Sequence, residues 1–235
     1  MKDEKIWALI PAFNAESAIG EVIRQTKEHL PLSRIIIIND GSTDGTADVA
    51  RSYGVEVLSL PDNRGKGFAL RLGFAHVLKN GCNAIITLDA DGQHDPSDIP
   101  KFFQAHGADS GAILVGSRMA EAEKFPRQRY YSNQVAVFFI SKALGHYLED
   151  TQCGFRLYPA EVLRPIDLRT SRFQMETEIL LRAAHRGVRL RSVPIKNIYW
   201  NGNHGNGHPP RSNFRPVVDT FHICMVVLES YLGIL

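Results

Sequence analysis

Cysteine is scarce in this 235-residue chain: Cys82, Cys153 and Cys224 are an odd number at wide spacing. That usage excludes a disulfide framework and a zinc site of paired thiolates, and it fits a reducing compartment. Long hydrophobic runs are missing too; no stretch reaches the roughly 18 consecutive apolar residues of a membrane span. The chain opens Met-Lys-Asp-Glu-Lys and enters a short apolar run that stops at Pro11, without a signal-peptide pattern. The expectation is a cytoplasmic protein. A net charge of +2 is too small for binding nucleic acid by phosphate neutralisation. No Gly-x-Gly-x-x-Gly follows the first apolar run, which weakens a nicotinamide or flavin reading. Asn63-Arg-Gly-Lys-Gly67 lacks the spacing and the Lys-Ser/Thr pair of a P-loop, which argues against an ATPase.

What is present is an alternation. Ile6–Phe13 reads as a strand, and a helix runs from the capping residues Asn14–Ser17 to about His29. Arg34–Asp40 carries four consecutive isoleucines, apolar on both faces, as in a central parallel strand covered by helices. A helix to about Tyr53, a strand at Val55–Leu58 and a helix over about Phe68–Lys79 follow. Next come a strand at Ala84–Leu88, a helix near Ser97–His106 and a strand near Ala112–Gly116. The pattern predicts an α/β fold, a Rossmann-like doubly wound and mostly parallel sheet flanked by helices. The second half is less regular. It has a charged loop over Arg118–Arg129, a helix over Tyr130–Leu148 and a polar turn with a short strand over Asp150–Tyr158. A helix over Phe173–Gly187 and strand character over Val188–Trp200 follow, then a Gly/Asn/His/Pro loop over Asn201–Pro210 and a C-terminal amphipathic helix. One domain is expected, with a donor half of about 1–118, an acceptor half of about 119–200 and a final segment of 201–235.

In such sheets ligands bind beyond the carboxyl ends of the strands, where Phe13-Asn14, Asn39–Ser42 and Asp89–Gln93 fall. Asp89, Asp91 and Gln93 converge if the segment is extended, and they suit a hard cation such as Mg²⁺ or Mn²⁺. The same stretch also reads as an acidic strand-to-helix turn, with Asp95 as N-cap before Pro96. Asp40 and Asp44 read as helix caps or as contacts to a ribose or base. Lys66 reads as an anion contact at a helix N-terminus or as part of a surface turn. Arg118, Arg127 and Arg129 bind phosphate as guanidinium forks or form a solvated basic loop. Cys153 reads as a small buried residue. Glu176 and Glu178 are two apart on a helix, so at most one faces a cleft. The C-terminal helix either packs on the domain or touches a membrane.

Six motifs occur in order: Pro11-Ala-Phe-Asn14, Asn39-Asp-Gly-Ser-Thr-Asp-Gly45, Asn63-Arg-Gly-Lys-Gly67, Asp89-Ala-Asp-Gly-Gln-His94, Gly116-Ser-Arg118 and Asp150-Thr-Gln-Cys-Gly-Phe-Arg156. Together they resemble the inverting glycosyltransferases of family 2 with the A-type nucleotide-sugar fold, over about residues 6–200. Within that family the chain is similar to the dolichol-phosphate mannose synthase branch. The resemblance implies a nucleotide-sugar donor, a polyprenyl-phosphate acceptor, Mg²⁺ or Mn²⁺, and a peripheral place at the cytoplasmic membrane face. It implies Pro11, Phe13 and Asp40 at the nucleotide, Lys66 and Asp89 at the donor, and Asp89, Asp91 and Gln93 at the metal. Arg118, Arg129 and Asn133 would take the acceptor phosphate, and Arg211 or Arg215 would close over the diphosphate. Asp91, Arg118 and Arg129 are the residues expected to carry catalysis. Many relatives carry Glu where this chain has Ala15. A hydroxyl acceptor would instead require a general base, Glu176 or Glu178; a non-catalytic nucleotide-sugar-binding protein is the remaining reading.

Overall fold

The computed structural model of the chain describes residues 5–124, 127–196, 198 and 216–234. Its elements run β1 (Ile6–Ala12), α1 (Glu16–Thr26), β2 (Ile35–Asn39), α2 (Thr46–Ser52), β3 (Glu56–Ser59), α3 (Lys66–Lys79), β4 (Ala84–Thr87), α4 (Ile99–Ala108) and β5 (Ile113–Ser117). The chain continues with α5 (Arg127–Leu144), β6 (Arg156–Pro159), the short α6 (Ala160–Leu163), α7 (Gln174–His185), β7 (Leu190–Pro194) and α8 (Pro216–Tyr231). The strands form a seven-stranded sheet in the order β3-β2-β1-β4-β6-β5-β7. All pairs are parallel except those of β6, which is antiparallel to β4 and β5.

The isoleucine run behaves as its composition predicts. Ile35 and Ile37 enter the core on one face of the sheet, while Ile36 and Ile38 enter the core on the other. Each buried isoleucine contributes about 1.5–3 kcal/mol relative to exposure, so β2 holds both layers together. A third cluster joins Ala136 and Ile140 of α5, Leu181 of α7 and Ile223, Val226 and Val227 of α8. Helix α7 is thus covered by the sheet on one side and by α5 and α8 on the other.

Two helices expose large apolar side chains. On α5, Val137 is buried, but Val135, Phe138 and Phe139 are exposed; the buried side is carried by Asn133, Ala136 and Ile140. On α8, Ile223, Val226 and Val227 pack inward while Val218, Phe221, Met225 and Leu228 are exposed. The C-terminal helix is therefore apolar on both sides rather than divided into an apolar and a polar face. Among the described residues, no helix is long and apolar enough to cross a membrane. The Asn201–Pro210 loop, Arg211 and Arg215 lie outside the described residues.

Glu178 explains how the α6–α7 connection is held. Its side chain is fully buried, and it accepts from the backbone N–H of Arg169 and of Thr170, from Thr170 Oγ1 and from Arg182 Nε at 2.7–3.2 Å. Burial alone would raise its carboxyl, and those donors outweigh burial and hold it below the usual glutamate value. A depressed folded-state pKa stabilises above the unfolded value and is lost as pH falls. Glu178→Ala should cost about 3–5 kcal/mol at pH 7, as removal of one partner of a buried pair does. In urea denaturation, the gap between wild type and variant should narrow as pH drops below 4.5, the ordinary glutamate value.

Candidate active site

The sheet brings its chemistry to one edge. Strands β1, β2, β4 and β5 end there at Ala12, Asn39, Thr87 and Ser117. Because β6 runs the other way, its first residue Arg156 pairs with Thr87, which delivers the segment 150–156 to the same edge. A cleft of ≈ 740 Å³ empty volume, part of it open to solvent, is lined there by Lys66, Asp89, Asp91, Gln93, His94 and Arg118. Thr151, Gln152, Arg156, Phe173, Glu176, Thr177 and Ile223 complete its walls.

Asp89 and Asp91 share this cleft, though not for the expected reason. Strand β4 stops at Thr87, and the acids sit in a turn rather than an extended segment. Gly92 takes φ +73°, the left-handed region that glycine enters without cost, and Asp91 Oδ1 accepts from the backbone N–H of Gln93 at 3.0 Å. Asp95 caps the next helical turn by accepting from the N–H of Ser97, as the sequence predicted. His94 is buried behind the turn, and its Nδ1 accepts from the N–H of Asp89 at 3.1 Å. The proton of the neutral ring therefore lies on Nε2, 3.7 Å from Cys153 Sγ. Burial pushes His94 down to about 4 despite the opposing charge of Asp89, and pushes the Cys153 thiol up to about 12. Both are inert at neutral pH; His94 shapes the turn.

Lys66 is at the centre. It is the first residue of α3, and the start of that helix is pressed against the 171–172 segment, where the N–H of Phe68 donates to Ser171 O at 2.8 Å. A Cβ at Gly67 would lie 2.5 Å from Arg172 O, so only glycine permits the approach. The ammonium is turned inward, 2.6 Å from Asp89 Oδ1 and 3.0 Å from Glu176 Oε2. Burial would lower its pKa, but the two carboxylates outweigh burial and hold it above the usual lysine value. Desolvation would raise the Asp89 carboxyl; the Lys66 charge reverses this and holds it at about 2. Lys66 and Asp89 are both charged at neutral pH.

Arg118 forms a fork with Asp150, Nε–Oδ2 at 2.7 Å and Nη2–Oδ1 at 3.1 Å. Burial would raise Asp150, but the guanidinium beside it holds it below the usual carboxylate range. Arg156, 1% exposed, donates to the carbonyls of Cys153, Glu176 and Thr151 at 2.7–2.8 Å and so ties β6 to α7.

Of the residues expected at the site, Lys66, Asp89, Asp91, Gln93 and Arg118 line one cleft. Pro11, Phe13 and Asp40 lie at the ends of β1 and β2 beside it. Asp40 is 3% exposed and accepts from the N–H groups of Arg64 and Gly65 at 2.8 and 2.9 Å, which anchors the loop leading to Lys66. Asn14, at φ +50°, and Ser42 interlock the first two loops: Asn14 N–H donates to Ser42 Oγ, and Thr43 N–H donates to Asn14 Oδ1. Glu16, next to Ala15, accepts from Gly45 N–H. Asn133 does not line the cleft; it is buried on α5, with Nδ2 4.0 Å from Met119 Sδ. The Arg129 side chain, Arg211 and Arg215 lie outside the described residues. Glu176 reaches the cleft and Glu178 does not.

Among the described residues, no group of three His, Cys, Asp or Glu side chains is placed to cage a metal. Two carboxylates and an amide on one turn fit a hard cation of the Mg²⁺ type, which uses one or two protein carboxylates and completes its shell with phosphate oxygens and water.

A profile of glycosyl transferase family 2 matches residues 7–166. The chain belongs to this family. It is a glycosyltransferase, with the A-type fold that its sheet and cleft display. It is 30% identical over 221 residues to the UDP-N-acetylglucosamine–dolichyl-phosphate N-acetylglucosaminyltransferase of Methanococcus voltae, covering 85% of this chain and 88% of that one. It is 28% identical over 202 residues to the undecaprenyl-phosphate mannosyltransferase of Micrococcus luteus, covering 81% of this chain and 82% of the relative. In fold it resembles glucosyl-3-phosphoglycerate synthase of Mycobacterium tuberculosis, solved with Mn²⁺, uridine diphosphate and phosphoglyceric acid. That match has a TM-score of 0.73 at 18% identity over 99% of this chain and 78% of the other.

Gly154 of this glycosyltransferase faces the Lys66–Asp89 pair. A Cβ there would lie 2.5 Å from Lys66 Nζ and 2.7 and 2.8 Å from the Asp89 oxygens. Those are movable side-chain ends, so Gly154→Ala should fold with a melting temperature within a few degrees of wild type. The displaced ammonium and carboxylate should lower sugar transfer about 100-fold, the scale of a misplacement of about 1 Å. Steady-state rates with circular dichroism melts check both.

Proposed function

We propose that this family 2 enzyme transfers a hexose from a nucleotide sugar to a polyprenyl phosphate, in a single in-line displacement that inverts the anomeric centre. The observation that carries this reading is the charge pattern of the cleft. Two carboxylates on one turn lie beside a buried ammonium and a guanidinium, and each candidate base is already held in an ion pair. Glu176 is paired with Lys66 at 3.0 Å, and Glu178 is saturated by donors outside the cleft. A hydroxyl acceptor needs a general base, whereas a lipid phosphate is already anionic at neutral pH. The acceptors in the relatives' names, dolichyl and undecaprenyl phosphate, support the same class.

In this reading Pro11, Phe13 and Asp40 line the nucleotide site, and Asp89, Asp91 and Gln93 hold Mg²⁺ or Mn²⁺. Bound there, the ion neutralises charge growing on the departing nucleoside diphosphate. Lys66 presents a fixed positive charge to the donor phosphates, where a preorganised charge stabilises the transition state without reorganisation. Arg118, aimed by Asp150, and Arg129 receive the acceptor phosphate and relieve its repulsion from the donor. Arg211 or Arg215 closes over the diphosphate.

A lipid acceptor brings the enzyme to a bilayer surface. Tyr131, Val135, Phe138 and Phe139 are exposed at helical spacing on α5, and Phe221, Met225, Leu228 and Leu232 lie at or just beyond α8. Exposed apolar stripes of this kind mark interaction surfaces, and this one suits peripheral contact with a membrane.

A thermal-shift screen of GDP-mannose, UDP-glucose and UDP-N-acetylglucosamine with and without Mn²⁺ tests the donor assignment, because ligand linkage raises the melting temperature. One donor should stabilise the protein in a metal-dependent way. Asp91→Ala should remove that metal-dependent shift and abolish transfer; an active variant would remove the metal assignment. In liposome flotation the wild type should rise with the vesicles and Phe138→Asp/Phe221→Asp should stay at the bottom. Absence of wild-type binding would count against the membrane contact.

A further inference from the structure

Three polar atoms buried in the cleft wall have no hydrogen-bond partner: Thr151 Oγ1, Gln152 Nε2 and Glu176 Oε1. Thr151 is 1% exposed and Glu176 5%. Buried polar groups are normally satisfied, and an unpartnered one lowers stability, so three in one wall call for an occupant. The neighbours do not supply one. Arg156 has its Nε 3.9 Å from Glu176 Oε1, beyond hydrogen-bond reach. Its guanidinium is committed to three backbone carbonyls. Lys66 binds the other oxygen, Oε2.

The chemistry of the set is specific. A carboxylate oxygen only accepts, an amide nitrogen only donates, and a hydroxyl does both. A phosphate would be repelled by the carboxylate oxygen, and an apolar group would leave all three atoms unpaired. A ring bearing neighbouring hydroxyls, each able to donate and accept, satisfies the whole set.

Position says which ring. Across the sheet, the ends of β2 and β1 carry Asp40, Pro11 and Phe13, the turn after β4 carries Asp89 and Asp91, and the segment before β6 carries Thr151 and Gln152. A nucleotide sugar has the same linear order: nucleoside, diphosphate, hexose. We infer that Thr151, Gln152 and Glu176 form the subsite that reads the hydroxyls of the donor hexose and sets which sugar is transferred. This rests on the donor reading above, with the diphosphate at Asp89 and Asp91. The loss of a matched hydroxyl strands a buried polar group, the kind of penalty from which discrimination between sugars arises.

Thr151→Val and Gln152→Met remove an unpartnered polar atom while keeping bulk. Melting temperature should stay equal or rise, because no bond is lost in the free protein. By calorimetry with Mn²⁺, binding of GDP or UDP should remain within about twofold of wild type, since neither contains a hexose. The affinity for the preferred nucleotide sugar should fall about five- to tenfold, as one net hydrogen bond predicts, and preference between hexose epimers on the same nucleotide should shrink. Unchanged sugar affinity and preference would overturn the inference. So would equal weakening of the diphosphate and the sugar nucleotide, or a clear fall in melting temperature, which would reveal a structural partner for the altered atom. A wild-type protein that binds no nucleoside diphosphate would overturn the donor reading itself, and this subsite with it.

Discussion

The buried ammonium of Lys66, shared between Asp89 and Glu176, is the interaction on which the rest of the site depends. An ion taken from water costs several kcal/mol unless it is paired with good geometry, so the surroundings are built to keep both carboxylates within reach. Gly67 lets α3 begin against the 171–172 segment, and Gly154 leaves the space that Lys66 and Asp89 fill. Arg156 clamps the carbonyls of Thr151, Cys153 and Glu176. His94 fixes the backbone of Asp89 from behind as a neutral ring. These residues come from four places in the sequence and act as one charged unit facing a cleft.

The topology makes that unit possible. A wholly parallel sheet would send every incoming segment to the opposite edge. By reversing β6 between β4 and β5, the fold puts the loop before a strand beside the loops after its neighbours. Polar groups at the ends of β1, β2 and β4 thereby meet Thr151, Gln152 and Arg118 across a single edge. Helix α7, covered on both sides, adds Glu176 from above, and Ile223 of α8 closes the rim. The exposed apolar side of α8 is thus continuous with the cleft wall through one helix.

Much of this was legible in the residues. Four isoleucines apolar on both faces identified β2 as a central strand, and polar residues right after three apolar runs located the edge where the cleft lies. The Asp89–Gln93 turn and the Asp95 cap followed from local chemistry. Other features had no local signal. Strand β6 has only four residues, all buried, so no alternation marks it and nothing local sets its direction. Glu176 and Glu178 read as helix positions of which at most one faces a cleft; that Glu176 is the one requires Lys66 from α3, and Glu178 is engaged by the 169–170 segment and Arg182. Arg156 was visible only as part of a family motif; that a fully buried arginine would spend itself on carbonyls requires the neighbouring strand and helix. Thr151 and Gln152 lay inside the same motif, but their unpartnered atoms appear only once the cleft has walls.

The central claim is that this cleft receives an anionic acceptor rather than a neutral one. Its most direct test is transfer of labelled sugar from the preferred donor to a polyprenyl phosphate and to the free polyprenol of the same length, under identical detergent and metal conditions. The account predicts glycolipid product with the phosphate and none with the alcohol. Comparable product from the alcohol would contradict it.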